Sequence, residues 1–148
     1  MTKSIPPKHL VLYADDDEDD LQLVREAFDN YATNVEVITF PDGISLLEFL
    51  KKRSISDPSP CLIILDINMP ILNGKETLNE IRLLEEYSEI PIVLFTTSSL
   101  PFDKKYAEKN NAGFITKPLN TEQLAKIAEQ FFTFCATTVR ENIQKKFL

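Results

Sequence analysis

The sequence has few of the residues that build redox, zinc and nucleic-acid-binding sites. Its 148 residues include two cysteines and one histidine, and acidic residues outnumber basic ones, giving a net charge of −7. Cys61 begins an apolar run and Cys135 lies on the apolar side of a helical pattern, so we expect two core thiols rather than a disulfide or a metal pair. His9 begins the first apolar run and is expected to be structural or solvent-exposed. The negative charge argues against direct DNA binding and against adhesion to anionic membranes.

Long apolar segments are also missing. No run reaches the length of a membrane span, and residues 1–8 lack the apolar core that a signal peptide needs. A cytoplasmic, reducing location is therefore the simplest expectation. The length predicts one domain, with a core large enough to need no disulfide or metal for its stability.

What the sequence does contain is a set of four short apolar runs, each followed by a polar residue. The runs cover residues 9–14, 61–65, 90–95 and 113–116. They are followed by Asp15 and Asp16, by Asp66, by Thr96 and by Lys117. Short branched-aliphatic runs without alternation are typical of strands buried on both faces of a parallel sheet. Because ligands bind outside the carboxyl ends of such strands, we expect these five side chains to converge there.

Helical patterns alternate with these runs, and a further strand is expected at residues 34–39. The resulting five βα units predict an α/β fold, an open parallel sheet with helices on both faces. Ser98 or Ser99 is expected to cap the fourth helix, and Asn120 or Thr121 the last one.

The expected organisation has three parts. Residues 1–8 form an N-terminal extension, residues 9–135 form the domain, and residues 136–148 form either a continuation of the last helix or a tail. An apolar stripe at helical spacing runs from Leu124 to Phe147. It is longer than one small domain needs, and it is the reason to expect a homodimer.

Asp15, Asp16 and Asp66 would form a pocket of three carboxylates. Close anions repel one another unless they are protonated or bound to a cation. No histidine or cysteine stands beside them in sequence, so the oxygen ligands indicate a hard cation. Mg²⁺ fits because it takes few carboxylates, retains waters and leaves positions for phosphate oxygens. The other acidic residues of the first cluster, 17–20, are expected only to cap and solvate the start of a helix.

The pocket of three carboxylates suggests roles for Lys117 and Thr96 that neither residue would suggest alone. A lysine before Pro118 is usually a surface residue, and a strand-end threonine is usually a simple β-former. Opposite three carboxylates, however, the ammonium group of Lys117 would pair with the anions and hold a phosphoryl oxygen. The hydroxyl of Thr96 would hydrogen-bond the same phosphoryl group.

These residues resemble the receiver domains of two-component response regulators, and most closely the small stand-alone regulators associated with phytochromes. The likeness extends from His9 to Cys135. The matching stretches are residues 10–17 (LVLYADDD), 62–70 (LIILDINMP), 92–98 (IVLFTTS) and 113–118 (GFITKP). The resemblance implies a flavodoxin-like, doubly wound, three-layer α/β/α fold, with five strands in the order 2-1-3-4-5.

The resemblance also implies roles for the residues at the carboxyl ends of the strands. Asp66 would be the phosphoryl acceptor, attacking a phosphohistidine of a partner kinase. Asp16 would ligate Mg²⁺ directly, Asp15 would do so mostly through water, and Asn68 would offer its main-chain carbonyl. Lys117 would bind the phosphoryl group, with a cis peptide bond following it.

A second group of residues would transmit and time the signal. Thr96 would close onto the phosphoryl oxygen, and Phe114, at the aromatic switch position, would turn inward with it. Phe114 stands where tyrosine is commoner, so the switch would have no hydroxyl. Asn68 and Ser98 occupy the positions that tune dephosphorylation in this family.

The leading hypothesis is a single-domain response regulator that is a phosphoacceptor rather than an enzyme. Its expected partners are a sensor histidine kinase or a histidine phosphotransfer protein, and an unknown downstream protein. One alternative is a degenerate receiver, a binding module that never uses phosphate. Another is a phosphatase that forms an aspartyl-phosphate, but such enzymes have a second aspartate where this chain has Asn68.

Overall fold

Five parallel strands form the central sheet of the computed structural model, which describes residues 8–54 and 56–146. The strands are β1 His9–Ala14, β2 Val35–Phe40, β3 Leu62–Leu65, β4 Ile92–Thr96 and β5 Gly113–Thr116. Their order is β2-β1-β3-β4-β5, which confirms the predicted flavodoxin-like topology. Every residue of β3 and β4 is buried, as their unbroken apolar sequences predict.

Helices cover both faces of this sheet. They are α1 Glu18–Tyr31, α2 Gly43–Lys52, α3 Gly74–Leu83, α4 Pro101–Lys109, α5 Thr121–Leu124, α6 Ile127–Phe132 and α7 Thr137–Asn142. The alternation of side chains along β1 separates two cores: Val11 and Tyr13 pack with α1 and α6, whereas Leu12 and Ala14 pack with α2 and α3. No helix within residues 8–54 and 56–146 is both long enough and apolar enough to cross a membrane.

The predicted cap of the last helical region is confirmed, and that of the fourth helix is wrong. Asn120 precedes α5, and its side chain accepts a hydrogen bond from the main-chain N–H of Gln123. The residue before α4 is Leu100, without a side-chain cap. Pro101 at the start of the helix has no N–H that needs a partner, and the Ser98 hydroxyl donates to Asp103 instead of capping the helix.

The last helical region is not the single helix that the sequence predicts. It is divided into α5, α6 and α7, with breaks around residues 125–126 and 133–136. Thr133 directs its hydroxyl back to the carbonyl of Gln130, 2.6 Å away, a local bond that competes with helix continuation. Beyond α7 the chain returns to the start of β2, where Asn34 donates to the carbonyl of Asn142 and accepts from the N–H of Gln144.

The apolar stripe is used inside this one chain. Its buried members join the core between α1 and the sheet, and its later members pack against the same core: Leu124, Ile127, Ala128, Phe131, Phe132, Cys135, Val139 and Ile143. Phe147 lies outside the described residues. Cys135 is buried and its thiol lies 3.6 Å from the carbonyl oxygen of half-buried Cys61, and both thiols are free. The stripe therefore no longer argues for a dimer.

Candidate functional site

The ladders of the parallel sheet extend one residue beyond three strands, and those residues form the site. The N–H of Asp15 donates to Phe40 at 3.1 Å, and the N–H of Asp66 donates to Ala14 at 3.0 Å. The N–H of Lys117 donates to Thr96 at 2.7 Å. The main chain of each site residue is therefore fixed by the strand beside it, which prepositions the side chains before any ligand arrives.

Three carboxylates meet at this edge of the sheet, as the sequence predicts. Asp15, Asp16 and Asp66 each offer one oxygen, and these oxygens lie within 4.8 Å of one another. Asp15 is fully buried, Asp66 is buried, and Asp16 is exposed to solvent. An all-oxygen set that opens to solvent on one side fits a hard divalent cation that keeps some of its waters.

Lys117 lies among these anions and is itself buried. Its Nζ is 2.8 Å from Asp15 and 3.5 Å from Asp66. It also lies 2.7 Å from Asp20 in the first turn of α1. Burial on its own lowers the pKa of Lys117, but the hydrogen bonds to Asp15 and Asp20 and the charges of Asp15 and Asp66 raise it above its ordinary value. The lysine therefore stays charged.

The contact with Asp20 corrects the expectation that residues 17–20 serve only the helix start. Asp17 does cap α1, accepting hydrogen bonds from the N–H groups of Asp19 and Asp20. Asp20, however, turns its carboxylate toward Lys117. The sequence carries a weak signal for this contact, because a side chain in the first turn after β1 lies beside the carboxyl edge of the sheet.

The carboxyl group of Asp66 is held in an unfavourable environment for its charge. Burial and the negative charge of Asp15 raise the pKa of Asp66 to about 6, while Lys117 opposes the rise. A raised pKa at a cleft is typical of functional carboxylates. At neutral pH the group is ionised, and it is more basic than an ordinary aspartate.

Tyr13 also belongs to the site, although it was not predicted from the sequence. Its buried hydroxyl donates to Asp15 Oδ2 at 2.5 Å, and burial followed by the charge of Asp15 raises the pKa of Tyr13. Phe95 lies beside it, with its ring centroid 5.7 Å from Lys117 Nζ. Its position beside Asp15 could have been predicted, because residues two apart on a strand lie on the same face.

The loop after β3 packs against the side chain and the main chain of Asp66. The N–H of Asn68 points to Asp66 Oδ1 at 3.4 Å, a long contact, and the Asn68 side chain is exposed. Gly74, the first residue of α3, donates its N–H to the carbonyl of Ile67 at 2.9 Å. This bond brings the start of α3 directly against the main chain that carries Asp66.

We expect Gly74→Ala to destabilise the fold by about 2–3 kcal/mol. A methyl group there would overlap the main-chain oxygen of Asp66 and lie 2.8 Å from Cα of Ile67. Gly113→Ala is the matched control, because the three atoms nearest its methyl group all belong to the exposed ring of Phe134 rather than to the main chain. Urea denaturation of both variants measures the difference, and equal losses would contradict this role of Gly74.

Thr96 lies at the end of β4, fully buried, and accepts at its main-chain carbonyl from the N–H of Lys117, one residue beyond β5. Its hydroxyl accepts a hydrogen bond from the N–H of Ser98 at 3.3 Å. In the described part of the chain, no hydrogen bond joins Thr96 to Asp66. Phe114 is half-buried on β5, where it pairs with Leu94 and packs against the core under α2 and α3.

The expected cis peptide bond after Lys117 is wrong. No peptide bond is cis within residues 8–54 and 56–146. The trans isomer is the more stable one even before proline, and Lys117 reaches Asp15 and Asp20 from it.

Comparison with known proteins agrees with this geometry. Residues 11–129 match the model of the response regulator receiver domain. Response regulator Rcp1 of Synechocystis is 33% identical over 141 residues, which cover 93% of this chain and 95% of Rcp1. The phosphorylated cyanobacterial phytochrome response regulator RcpA superposes with a TM-score of 0.78 at 29% identity, covering 88% of this chain and 96% of RcpA.

The Mn²⁺-bound form of Rcp1 superposes with a TM-score of 0.75 at 29% identity, covering 85% of this chain and 93% of Rcp1. The matches include β1, β3, β4 and β5, the strands that position the site. The chain therefore belongs to the response regulator receiver domain family of two-component signalling proteins.

Proposed function

We propose that Asp66 accepts a phosphoryl group from a phosphohistidine of a sensor histidine kinase or a histidine phosphotransfer protein. The observation that supports this most directly is the ammonium group of Lys117, which lies 3.5 Å from Asp66 and 2.8 Å from Asp15. It is a fixed cation beside a buried carboxylate of raised pKa. Phosphoryl transfer requires such positioning and charge neutralisation more than it requires covalent assistance.

In the proposed reaction, an Asp66 carboxylate oxygen attacks phosphorus and a new O–P bond forms. The P–N bond to the imidazole breaks, and the imidazole retains its electron pair and takes a proton. Without metal the pKa of Asp66 is about 6, so its carboxylate is ionised at neutral pH, as attack on phosphorus requires. Lys117 would then pair with a phosphoryl oxygen.

The proposed cofactor is Mg²⁺. Asp15, Asp16 and Asp66, with the main-chain carbonyl of Asn68, would hold it, and the mutual proximity of the three carboxylates supports this. When bound, the ion would neutralise charge on the phosphoryl oxygens. The Mn²⁺ in the Rcp1 structure belongs to that protein, and it supports a divalent site here by similarity.

The proposed output is a change of protein contact, with a protein target and neither DNA nor membrane as partner. A phosphoryl group adds about one to two negative charges, enough to bias a loop with two arrangements. Thr96 and Phe114 would move together, and Asn68 and Ser98 would tune the lifetime of the phosphorylated form. We further propose that the receiver, residues 9–135, acts as a stand-alone cytoplasmic regulator, flanked by residues 1–8 and 136–148.

Self-association is also proposed, although the apolar stripe that suggested it is buried within the monomer. Exposed apolar side chains lie elsewhere, at Leu100 and Phe102 near the start of α4 and at Leu119 before α5. Light scattering with and without beryllofluoride tests it, and a monomer in both states would exclude a dimer.

We expect the protein to become phosphorylated when incubated with acetyl phosphate and Mg²⁺, and to remain unmodified when the metal is chelated. Intact-protein mass spectrometry measures the modification. Asp29→Asn is a suitable control, because Asp29 is exposed on α1, outside the site, and its loss should change nothing. If several small donors and kinases all leave the protein unmodified while it binds Mg²⁺, the degenerate, phosphate-independent receiver becomes the better account.

A further inference from the structure

Asp20 lies outside the three-carboxylate cluster, and yet it makes the shortest contact of Lys117. The Nζ–oxygen distance is 2.7 Å to Asp20, 2.8 Å to Asp15 and 3.5 Å to Asp66. We propose that Asp20 is a positioning residue that draws Lys117 toward α1 in the resting protein and competes with a phosphoryl group on Asp66 for its ammonium group. This inference rests on the proposed function.

The balance of charge around Lys117 supports this role. Two anions, Asp15 and Asp20, lie within hydrogen-bond distance of Nζ, whereas Asp66 lies beyond it. Without Asp20, Asp15 and Asp66 would remain, and the lysine would be free to settle between them. Asp20 therefore acts on Asp66 through the lysine, without touching it.

The exposure of Asp20 makes the contact reversible. Its side chain is 23% exposed, against 8% for that of Lys117, so water can take over its carboxylate when the lysine leaves. A partly solvated ion pair contributes little free energy and weakens with salt. A phosphoryl group on Asp66 would thus displace Asp20 from Lys117, and the competition would weaken binding of the phosphoryl group only modestly.

Asp19 supplies the matched control. It is exposed, carries the same charge and belongs to the same first turn of α1, where both carboxylates favour the positive end of the helix. In the described part of the chain, its side chain forms no ion pair with Lys117. Asp20→Asn and Asp19→Asn therefore change the net charge and the helix start alike, and differ in the contact with the lysine.

The first test uses the metal-free protein and the nitrogen resonance of the Lys117 ammonium group by NMR. Asp20→Asn should shift that signal, and Asp19→Asn should leave it at the wild-type position. Equal spectra for both variants would show that the contact does not exist in solution, and would overturn the inference whatever the protein does with phosphate.

The second test measures the affinity for beryllofluoride, a phosphoryl mimic, at saturating Mg²⁺. Asp20→Asn should bind it roughly twofold to tenfold more tightly than the wild type and Asp19→Asn, with the gap narrowing at high salt. Equal or weaker binding by Asp20→Asn would overturn the competition while leaving the proposed function intact. Failure of all three proteins to bind would overturn the proposed function and the competition with it.

Discussion

Asp66→Asn should abolish phosphorylation and, in the metal-free protein at neutral pH, should make the fold more stable. Burial and the charge of Asp15 raise the pKa of Asp66 to about 6, above its ordinary value of 3.8. The folded protein therefore holds this proton more tightly than the unfolded chain, and ionisation of Asp66 opposes folding. Asparagine keeps the shape of the side chain and removes the charge.

The destabilisation caused by ionised Asp66 depends on pH. The destabilisation by Asp66 is absent below its ordinary pKa, grows as the pH rises, and is complete above about 6. We expect Asp66→Asn to be about 1–2 kcal/mol more stable than the wild type at neutral pH once solvent screening is allowed for, and nearly equal to it at about pH 4.

Urea denaturation in chelator across this pH range measures the difference, with Asp29→Asn as the control for general charge removal. Mg²⁺ should reverse the order at neutral pH, because a ligand that binds the folded wild type stabilises it by mass action. A variant that is less stable than the wild type at neutral pH without metal would contradict the assigned environment of Asp66.

Lys117→Met should cause the largest loss of stability, about 3 kcal/mol or more in the metal-free protein at neutral pH. Its removal leaves buried Asp15 and Asp66, together with Asp20, without their shared cation, and an uncompensated buried charge is strongly destabilising. The loss should shrink at low pH, where Asp66 takes up a proton. It should also shrink in Mg²⁺, which replaces the missing positive charge.

Two further variants separate this cause from loss of packing. Lys105→Met removes an exposed lysine from α4 and should be nearly neutral. The double variant Lys117→Met with Asp66→Asn should recover part of the lost stability, because one of the unpaired charges is gone. A double variant that loses the sum of both single effects, with no recovery, would show that Lys117 acts through packing alone.

The sheet could be predicted because its strands are encoded locally. Residues 62–65 and 92–95 are apolar throughout, and such runs have few alternatives to a buried parallel strand. The positions of Asp15, Asp66 and Lys117 follow from the same fact, since parallel strands place their carboxyl ends at one edge.

Contacts that depend on tertiary packing could not be predicted in the same way. Asp20 reaches Lys117 only because α1 packs against the sheet at a particular rotation, and the three residues before it are equally acidic. The bonds of Asn34 to Asn142 and Gln144 join residues far apart in the chain. No local pattern marks either end of the Asn34 contacts, and the weak helix formers after Phe132 left the route of the chain open.

The position of the phosphoryl group in the chain tests most directly whether Asp66 is the phosphoryl acceptor. The protein would be phosphorylated with acetyl phosphate and Mg²⁺, then reduced with borohydride, which converts an aspartyl-phosphate into homoserine, and mapped by peptide mass spectrometry. Homoserine at position 66, absent without the phosphoryl donor and in Asp66→Asn, is the predicted result. Modification at another carboxylate, or at none while the metal site is saturated, would contradict the assignment of Asp66 as the phosphoryl acceptor.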